Sequence, residues 1–552
     1  MSDQNMKGMA NSAFVTANPE LAASQWAAWK SDRRHLLKMG AFAGGAIAVA
    51  GALGNVGPLV GTALAQDTPK AGGSIKMSLA DDDVQNFDPI IPTDNMSIWT
   101  MLLIYDTLIR VGPDGNSLEP GLAESWTASE DGLTYTFTLR DATFHDGTPV
   151  TSADAVYSID RALNSPDSQW AFIFPAGSTF AAPDAKTFVV TLPKAWAPFE
   201  ADLALFSAAI IPMAVHQAQG EDLFQKPIGS GPFVFDSWEK QVQIVLKKSP
   251  SYWQAGTPYL DELTFVVLTD ANARMLQFQA GDLDIVTSVP YSQVETLKAN
   301  PDVTFYEEAV ARIDYFGFNC LKEPFTDVKV RQAINYAVDK DVIIKNVLFG
   351  AGQMANTFLP LMYGHDDTIA GYPYDLAKAQ ALMAETTVAA GFDAEILIST
   401  GDPVGSQIAQ LIASDLAKIN INLTITTLEP AAKRDRRNAF DFDINGGYYT
   451  TDIIDPDELT NFAVESDGGA FAVWTQYRND TVNQMIVDAR SELDVEKRLQ
   501  MYKDMQKIVT DDAHFLYLFY PTGNTASITA VQNFKILPTG NYRLWETWRS
   551  DV

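Results

Sequence analysis

The pattern of apolar residues changes near the middle of the chain, and this change limits the fold more than any other feature of the sequence. Before about residue 310, short segments rich in β-branched and aromatic residues are separated by turn residues. One of them, Leu133-Thr-Tyr-Thr-Phe-Thr-Leu139, alternates strictly between apolar and polar residues, which is typical of a half-buried strand. Beyond Phe325, segments with helical spacing alternate with apolar strands. The sequence therefore predicts two α/β lobes.

Several elements of the second half can be bounded from this spacing. With 47% hydrophobic residues in 552, the chain has enough apolar material to fill more than one core. The predicted helices cover 328–348, 376–385, 406–418 and 494–510, and the predicted strands cover 394–399, 423–427 and 515–520.

The first 65 residues have the composition of an export signal. Asp32-Arg33-Arg34-His35-Leu36-Leu37-Lys38 resembles the twin-arginine motif, and an uncharged run rich in Ala and Gly follows over 39–64. Ala63-Leu64-Ala65 then fits a signal-peptidase site. A membrane anchor is the alternative, but the many glycines of the run weaken it. We predict a twin-arginine signal peptide over 1–65, with cleavage after Ala65.

Charge and cysteine content narrow the class of protein further. The formal net charge of −30 repels phosphate backbones, which makes a nucleic-acid partner improbable. Cys320 is the one cysteine, so no intramolecular disulfide can form. No cysteine stands directly after the apolar run, where a lipid would be attached. An exported protein without a lipid anchor is retained only where an outer membrane encloses it, which predicts the periplasm.

Ordered sequence blocks carry a family resemblance. The most specific block joins Gly121-Leu-Ala-Glu-Ser-Trp126, Glu130-Asp131-Gly132 and Phe144-His145-Asp146-Gly147. Further blocks follow the same order along the chain: Asn86-Phe-Asp-Pro89, Pro227-Ile-Gly-Ser-Gly-Pro-Phe233, Tyr252-Trp253, Gln279-Ala-Gly-Asp-Leu-Asp284, Phe318-Asn319 and Asp455-Pro456. Together they resemble the peptide and nickel type (family 5) of extracytoplasmic solute-binding proteins, which includes the oligopeptide- and dipeptide-binding proteins of ABC importers.

The resemblance implies an α/β, two-lobed periplasmic binding protein of type II, cluster C-like. Lobe I would cover 66–310, with an extra subdomain at about 116–228, and lobe II would cover 311–520. Residues 521–552 would return to lobe I, and two crossovers would act as a hinge. The implied function is capture of a peptide or similar amine-bearing solute for an inner-membrane ABC permease complex, by a monomer without cofactor.

The resemblance also implies a ligand site. In the loop from Gly446 to Asp457, Asp452 aligns with the family aspartate that pairs with the α-amino group of a peptide. A carboxylate facing an ammonium selects ligands with a free amine. The alternative is that Asp452 or Asp455 only caps the helix beginning near Pro456. We assign the cap to Asp455 and the amine contact to Asp452.

Other residues are candidates to line the cleft. Tyr448, Tyr449 and Trp474 could form the floor of the pocket, with a plain core role as the alternative. Two segments align with cleft-lining segments of relatives, where extended backbone pairs with a peptide as an added strand. The residues of these two segments are Val84, Gln85, Asn86, Tyr315 and Phe318.

One departure from the dipeptide-binding pattern concerns the ligand carboxylate. Relatives carry an Arg near the start of the helix predicted from Ser406, where this chain has Ser406 and Gln407. Another arginine would have to replace it, and the candidates are Arg312, Arg434, Arg436 and Arg437. Three of these belong to the basic run 433–437, whose alternative interpretation is a solvated helix face.

Functions of other classes find little support in the sequence. A hydrolase is the main rival, but no G-x-S-x-G, H-E-x-x-H or P-loop motif is present. The four histidines after residue 65 lack metal-ligand spacing, and Cys320 lies in an apolar strand. No catalytic, cofactor or metal residue is therefore predicted. A non-peptide ligand, such as an opine, a sugar conjugate, a metal chelate or haem, remains open, as does a chemosensory role.

Overall fold

The computed structural model describes residues 68–80, 83–92, 94–466, 468 and 472–552. Residues 71–552 form one compact unit, and the architecture below is that of this unit. The predicted signal peptide over 1–65 lies outside the described residues. Among the residues that are described, every helix is too short or too polar to cross a lipid bilayer.

The strands and helices of unit 71–552 follow in chain order. The strands are β1 (Ser74–Leu79), β2 (Ile109–Val111), β3 (Leu118–Pro120), β4 (Ala123–Ala128), β5 (Thr134–Leu139), β6 (Thr179–Asp184), β7 (Thr187–Thr191), β8 (Phe233–Glu239), β9 (Gln243–Lys248), β10 (Glu262–Val267), β11 (Ile285–Val286), β12 (Val303–Ala309), β13 (Arg312–Phe318), β14 (Gln353–Met354), β15 (Phe392–Ser399), β16 (Ile421–Leu428), β17 (Ile444–Thr450), β18 (Phe515–Tyr520), β19 (Thr522–Ile528), β20 (Val531–Gln532) and β21 (Trp548–Arg549). The helices are α1 (Asn95–Ile104), α2 (Ser152–Asn164), α3 (Phe199–Asp202), α4 (Met213–Gln219), α5 (Ala271–Ala280), α6 (Val294–Lys298), α7 (Val328–Ala337), α8 (Lys340–Asn346), α9 (Leu376–Ala384), α10 (Pro403–Leu416), α11 (Pro430–Asn438), α12 (Pro456–Val464), α13 (Asp480–Ser491) and α14 (Val495–Asp512).

Lobe I is organised around a seven-stranded sheet with the order β12-β19-β11-β1-β10-β9-β8. Its central strand β1 is parallel to both β10 and β11, whereas β19 is antiparallel to β11 and β12. Because β19 lies inside this sheet, the chain returns to lobe I near its C-terminus. A separate four-stranded sheet, β4-β5-β7-β6, belongs to the same lobe.

The alternating segment identified in the sequence forms β5 of this smaller sheet. Its residues Tyr135, Phe137 and Leu139 are buried, with 2%, 0% and 3% of their surface exposed. The threonines between them point to the other face and are more exposed. The period of two thus gives one buried and one solvated face, as the sequence predicts.

The glycines of the Pro227–Phe233 block are required by close backbone packing. A Cβ atom on Gly229 would lie 2.0 Å from the backbone carbonyl oxygen of Ile104. Rotation of a side chain could not relieve this clash. His145 holds this turn, since its Nδ1 accepts from the Gly229 N–H at 3.2 Å and its Nε2 contacts the Gly231 carbonyl at 3.0 Å. Burial lowers the pKa of His145, so the ring stays neutral. The Phe144–Gly147 block and the Pro227–Phe233 block therefore contact each other in the folded protein.

Lobe II is organised around a six-stranded sheet with the order β14-β18-β13-β17-β15-β16. The helix predicted over 328–348 is two helices, α7 and α8, because the Asp339 side chain accepts from the Val342 N–H at 3.1 Å and starts a second helix. Likewise, α10 begins at Pro403 and not at Ser406, because Asp402 caps it and Pro403 takes the first helical position.

Two connections join the large sheets. Val310 and Ala311 separate β12 from β13, and Pro521 separates β18 from β19. Each connection passes from one sheet to the other within one or two residues. Two short segments of backbone therefore connect the sheets of the two α/β lobes.

Candidate ligand-binding site

The loop between β17 and α12 lies where the two lobes meet. Tyr449, at the end of β17, packs with the core of lobe II, whereas Ile453 is fully buried in the core of lobe I. Thr450 Oγ1 is 3.3 Å from Asn95 Oδ1 at the start of α1 in lobe I. Asp452 falls between these anchoring contacts. It therefore occupies the boundary between the lobes, where a closing cleft would hold a ligand.

Asp455 caps α12, as the sequence predicts. Its side chain accepts from the Asp457 N–H at 2.9 Å, and Pro456 takes the first helical position. This cap leaves Asp452 free of any role at the helix start.

Asp452 presents an unsatisfied acceptor. Only 6% of its surface is exposed, and its Oδ1 atom has no hydrogen-bond partner among the described residues. A buried acceptor without a donor is costly, which makes such an atom a place where a ligand donor is expected. Burial raises the pKa of Asp452 well above its usual value, and the neighbouring Glu458 raises it further.

Glu458 forms the other half of this acidic pair. Its Oε2 accepts from the Thr451 hydroxyl at 2.8 Å and from the backbone N–H groups of Asp452 and Ile453 at 3.0 and 3.1 Å. Burial raises the pKa of Glu458 to about 7 despite these donors. In the described part of the chain, no Lys, Arg or His nitrogen lies within 4.0 Å of either carboxylate. The pair therefore has no counter-charge among the described side chains.

The nearby arginines are paired with other acids. Arg498 binds Asp455 through both oxygens, at 2.6 and 2.7 Å. Arg490 binds Asp457 at 2.8 Å and Glu465 at 2.7 Å. These side chains are all largely buried, so the arginines cannot turn to Asp452 without exposing other charges. Among the described residues, no cation is therefore available to Asp452.

The predicted aromatic residues divide between packing and contact with cations. The Tyr449 hydroxyl donates to the Phe358 carbonyl, and its ring lies 5.5 Å from that of Tyr315. The ring of Tyr448 lies under the Arg312 guanidinium at 3.6 Å. Trp474 is half-buried beneath the Arg437 guanidinium. The polar end of Tyr449 is thus already used within lobe II.

The expectation that residues 315–318 accept an added strand is wrong. They belong to β13, which is hydrogen-bonded to β17 on one side and to β18 on the other. Both backbone edges are therefore occupied. Phe318 itself is fully buried and stacked on Phe325 at 5.6 Å, which makes it a core residue of lobe II. Tyr315 is 3% exposed on the opposite face of the sheet.

The segment Val84, Gln85 and Asn86 does not form a strand either. Its three backbone N–H groups donate to side chains, the first to Asp83 and the other two to Ser97. Val84 is a buried residue of the lobe I core, Gln85 is exposed and Asn86 is half-buried. The backbone donors that strand addition requires are already in use, which contradicts that expectation for this segment.

Among the four candidate arginines, most are already neutralised or point outward. Arg312 binds Asp314 at 2.8 and 2.7 Å, and Arg436 binds Glu395 and Asp441. Arg434 is exposed. Arg437 is half-buried, with its guanidinium 3.7 Å above the ring of Trp474. Arg437 is therefore the candidate with an uncommitted charge near the predicted pocket residues.

Glu458 was not predicted from the sequence. It stands three residues after the cap Asp455, a spacing that by itself suggests a capping box. In the structure its carboxylate instead reaches the backbone of residues 451–453. The path of the loop, which the spacing does not encode, decides this contact.

Groups typical of an enzyme are dispersed in the described residues. Burial raises the pKa of Cys320 to about 11, and its thiol contacts the Phe318 carbonyl at 3.6 Å. His514 is buried against the Ala463 carbonyl at 3.1 Å. Within the described ranges, no three His, Cys, Asp or Glu side chains are grouped to hold a metal ion. A cavity of about 490 Å³ between α7, α9 and α14 contains none of the predicted site residues.

Comparison with known proteins places this chain in a family. The model of "Bacterial extracellular solute-binding proteins, family 5 Middle" matches residues 117–471. The "Probable D,D-dipeptide-binding periplasmic protein DdpA" of Escherichia coli (strain K12) is 33% identical over 469 residues, which cover 83% of this chain and 90% of the relative.

Two solved structures have the same fold. The periplasmic binding protein DppA from Helicobacter pylori, in complex with the peptide STSA, superposes with a TM-score of 0.80 at 27% identity, over 87% of this chain and 98% of that one. AgaA from A. tumefaciens R10, in complex with agropinic acid, superposes with a TM-score of 0.77 at 28% identity, over 87% and 99%. The chain belongs to family 5 of the bacterial extracellular solute-binding proteins and has their two-lobed, type II architecture.

Proposed function

We propose that this protein captures short peptides, or a similar small solute with a free amine, in the periplasm and delivers them to an inner-membrane ABC permease complex. The observation that carries the proposal is the unpartnered Oδ1 of Asp452 at the boundary between the lobes. The protein acts as a monomer that binds and releases its solute without breaking a bond. It reaches the periplasm through its twin-arginine signal and is cleaved after Ala65.

The chemistry of Asp452 favours an ammonium group. A protonated amine supplies N–H donors and a positive charge, and a charge-assisted hydrogen bond of this kind contributes about 1.5 to 3 kcal/mol. The ammonium also offsets the repulsion between Asp452 and Glu458, which no cation of the described chain offsets. An uncharged hydrogen-bond donor would satisfy the acceptor but leave the charge uncompensated.

Ligand binding at this position favours closure of the lobes. Asp452 is held between contacts to both cores, so a solute bound there touches the two lobes together only when they are closed. The free energy of those extra contacts shifts the population towards the closed form. Closure requires backbone change only near residues 310–311 and 521, which lie between the two sheets.

An opine or related conjugate of an amino acid is the second candidate ligand. The relative with agropinic acid bound shares the fold at 28% identity, which supports a non-peptide solute. Haem or a metal chelate is a weaker candidate, because the described residues contain no group of side chains suited to a metal.

Native mass spectrometry tests the proposal directly. Protein purified from the periplasm, residues 66 to 552, is analysed intact and then denatured, and the released molecules are identified. We expect a mixture of short peptides with free N-termini. A single opine-like mass would favour the second candidate, whereas a ligand without any basic nitrogen would contradict the role of Asp452.

A further inference from the structure

Helix α11 carries two half-buried cations on the face that lies against the sheet of lobe II. Lys433 and Arg437 are four residues apart and therefore adjacent on one side of the helix. The Lys433 ammonium donates to the Gly446 carbonyl of β17 at 2.8 Å, and Arg437 lies on Trp474 at 3.7 Å. The two cations are not directed into solvent, which excludes a solvated helix face for this part of the basic run.

These cations lack acidic partners. No carboxylate oxygen of the described residues lies within 4.0 Å of either group, and the Arg437 Nε and Nη2 contact only the Asn438 amide oxygen, at 3.2 and 3.1 Å. Burial lowers the pKa of Lys433 to about 8, with Asp402 opposing that shift and Arg437 adding to it. Burial also lowers the pKa of Arg437, which Tyr315 opposes and the like charge of Arg434 reinforces. Like charges held together in a poorly solvated place create a position where an anion is stabilised.

Tyr315 completes the surroundings of Arg437. It pairs with Gly447 across β13 and β17, and its hydroxyl oxygen lies 3.3 Å from the position that a Cβ on Gly447 would occupy. The absence of a side chain at Gly447 leaves this hydroxyl uncovered on that side. Arg437 and Tyr315 interact electrostatically. A guanidinium fork and a nearby phenol can donate to the two oxygens of a carboxylate.

We propose that Arg437 and the Tyr315 hydroxyl bind a carboxylate of the same solute whose ammonium lies at Asp452, so that the protein selects zwitterions. This inference rests on the function proposed above. Trp474 supports the guanidinium through its ring face, and Lys433 adds positive charge while remaining bound to Gly446. The subsite replaces the arginine that is absent near Ser406.

Strand geometry limits the length of such a solute. Gly447, opposite Tyr315, precedes Asp452 by five residues, and an extended chain rises about 3.3 Å per residue, so the two positions are at most about 16 Å apart. An extended peptide spans about 3.3 to 3.6 Å per residue. Because the side chains at both positions extend this range, a peptide of a few residues or a conjugate of that size is expected to reach both groups.

The test compares three forms of one mixture of synthetic tripeptides: free, N-acetylated and C-amidated. Isothermal titration calorimetry is carried out on the wild-type protein, on Arg437→Gln and on the matched control Arg434→Gln, which removes an exposed charge from the same helix. We expect amidation to weaken binding to the wild type at least tenfold. Arg437→Gln weakens binding of the free peptides by a similar factor but leaves the amidated peptides unchanged, and Arg434→Gln has little effect.

The outcomes separate the two proposals. If amidated and free peptides bind equally well while acetylation abolishes binding, the carboxylate subsite is wrong and the amine function stands. If acetylation has no effect, the amine contact at Asp452 fails and this inference fails with it. If no peptide binds, the peptide function fails in favour of a non-peptide solute, and the peptide-carboxylate subsite is wrong. The comparison of amidated with free peptide on the wild-type protein needs no variant, so it holds even if Arg437→Gln disturbs packing on Trp474.

Discussion

Glu458 lies against Asp452, and its Oε2 accepts a hydrogen bond from the Asp452 backbone N–H at 3.0 Å. Two acidic side chains, one from the first turn of α12 and one from the loop before it, thus share a space from which water is nearly excluded, with 3% and 6% of their surfaces exposed. Holding both in the charged form without a cation is unfavourable. The raised pKa values mean that the pair retains a proton near neutral pH, so the cation binding proposed here would depend on pH.

The stability of the ligand-free protein should fall as pH rises from about 4.5 to about 7. Burial raises the folded-state pKa of Glu458 to about 7, above the usual value of 4.5. Stability from the protonated form is full below the unfolded-state pKa and is lost as pH rises through the folded-state pKa. The midpoint of thermal unfolding should therefore decrease between pH 5 and pH 8, and this decrease should be smaller in Glu458→Gln.

The control for this measurement is Glu124→Gln, which changes an exposed glutamate of β4. It should keep the pH dependence of the wild type. An equally steep loss of stability in Glu458→Gln would show that Glu458 does not hold the proton.

Asp452→Asn should weaken the binding of amine-bearing solutes at least tenfold without unfolding the protein. The amide keeps the shape of the side chain but removes the charge that pairs with an ammonium. Calorimetry with free peptides measures the loss, and the unfolding midpoint should not decrease, because the substitution also relieves repulsion with Glu458. Unchanged affinity would remove Asp452 from the site.

Arg498→Met should destabilise the fold by about 3 to 5 kcal/mol, because it leaves Asp455 buried without its bidentate partner. Denaturant unfolding monitored by fluorescence measures the change. The matched control is Lys329→Met, which breaks the exposed pair with Glu385 and should hardly move the midpoint. Equal effects of the two variants would mean that the Arg498 pair does not support α12.

The Cys320 thiol should resist alkylation in the folded protein at pH 7. Burial raises its pKa to about 11, so the reactive thiolate is scarce, and the surrounding lobe II core limits access. Mass spectrometry after treatment with iodoacetamide should show modification only in denaturant. Rapid modification of the native protein would instead reveal an accessible, activated thiol.

Part of the ligand site could be predicted from the sequence. The Asp-Pro pair at 455–456 identifies a helix start, and the helix leaves Asp452 available for another role. The same local reasoning could not predict that β13 is a central strand. Residues 315–318 have the composition of a strand, but whether its edges are free depends on β17 and β18, which come from distant parts of the chain.

The contacts of the basic run 433–437 also could not be predicted from local sequence. Lys433 and Arg437 are four residues apart and so lie on one face of α11, which can be predicted from the sequence. Only the packed structure shows that this face meets β17 and Trp474, and that Arg436 turns away to Glu395.

The sequence by itself determined the two α/β lobes, the family and the approximate positions of several helices and strands of the second half, because these follow from local periodicity and from ordered motifs. The tertiary structure alone decided that Glu458 joins Asp452, that β13 has no free edge and that Arg437 keeps an uncommitted charge. Such relationships depend on which remote residues share a buried space. Burial sets the energetic cost of an unpaired charge or an unused hydrogen-bonding group, and no local pattern encodes it.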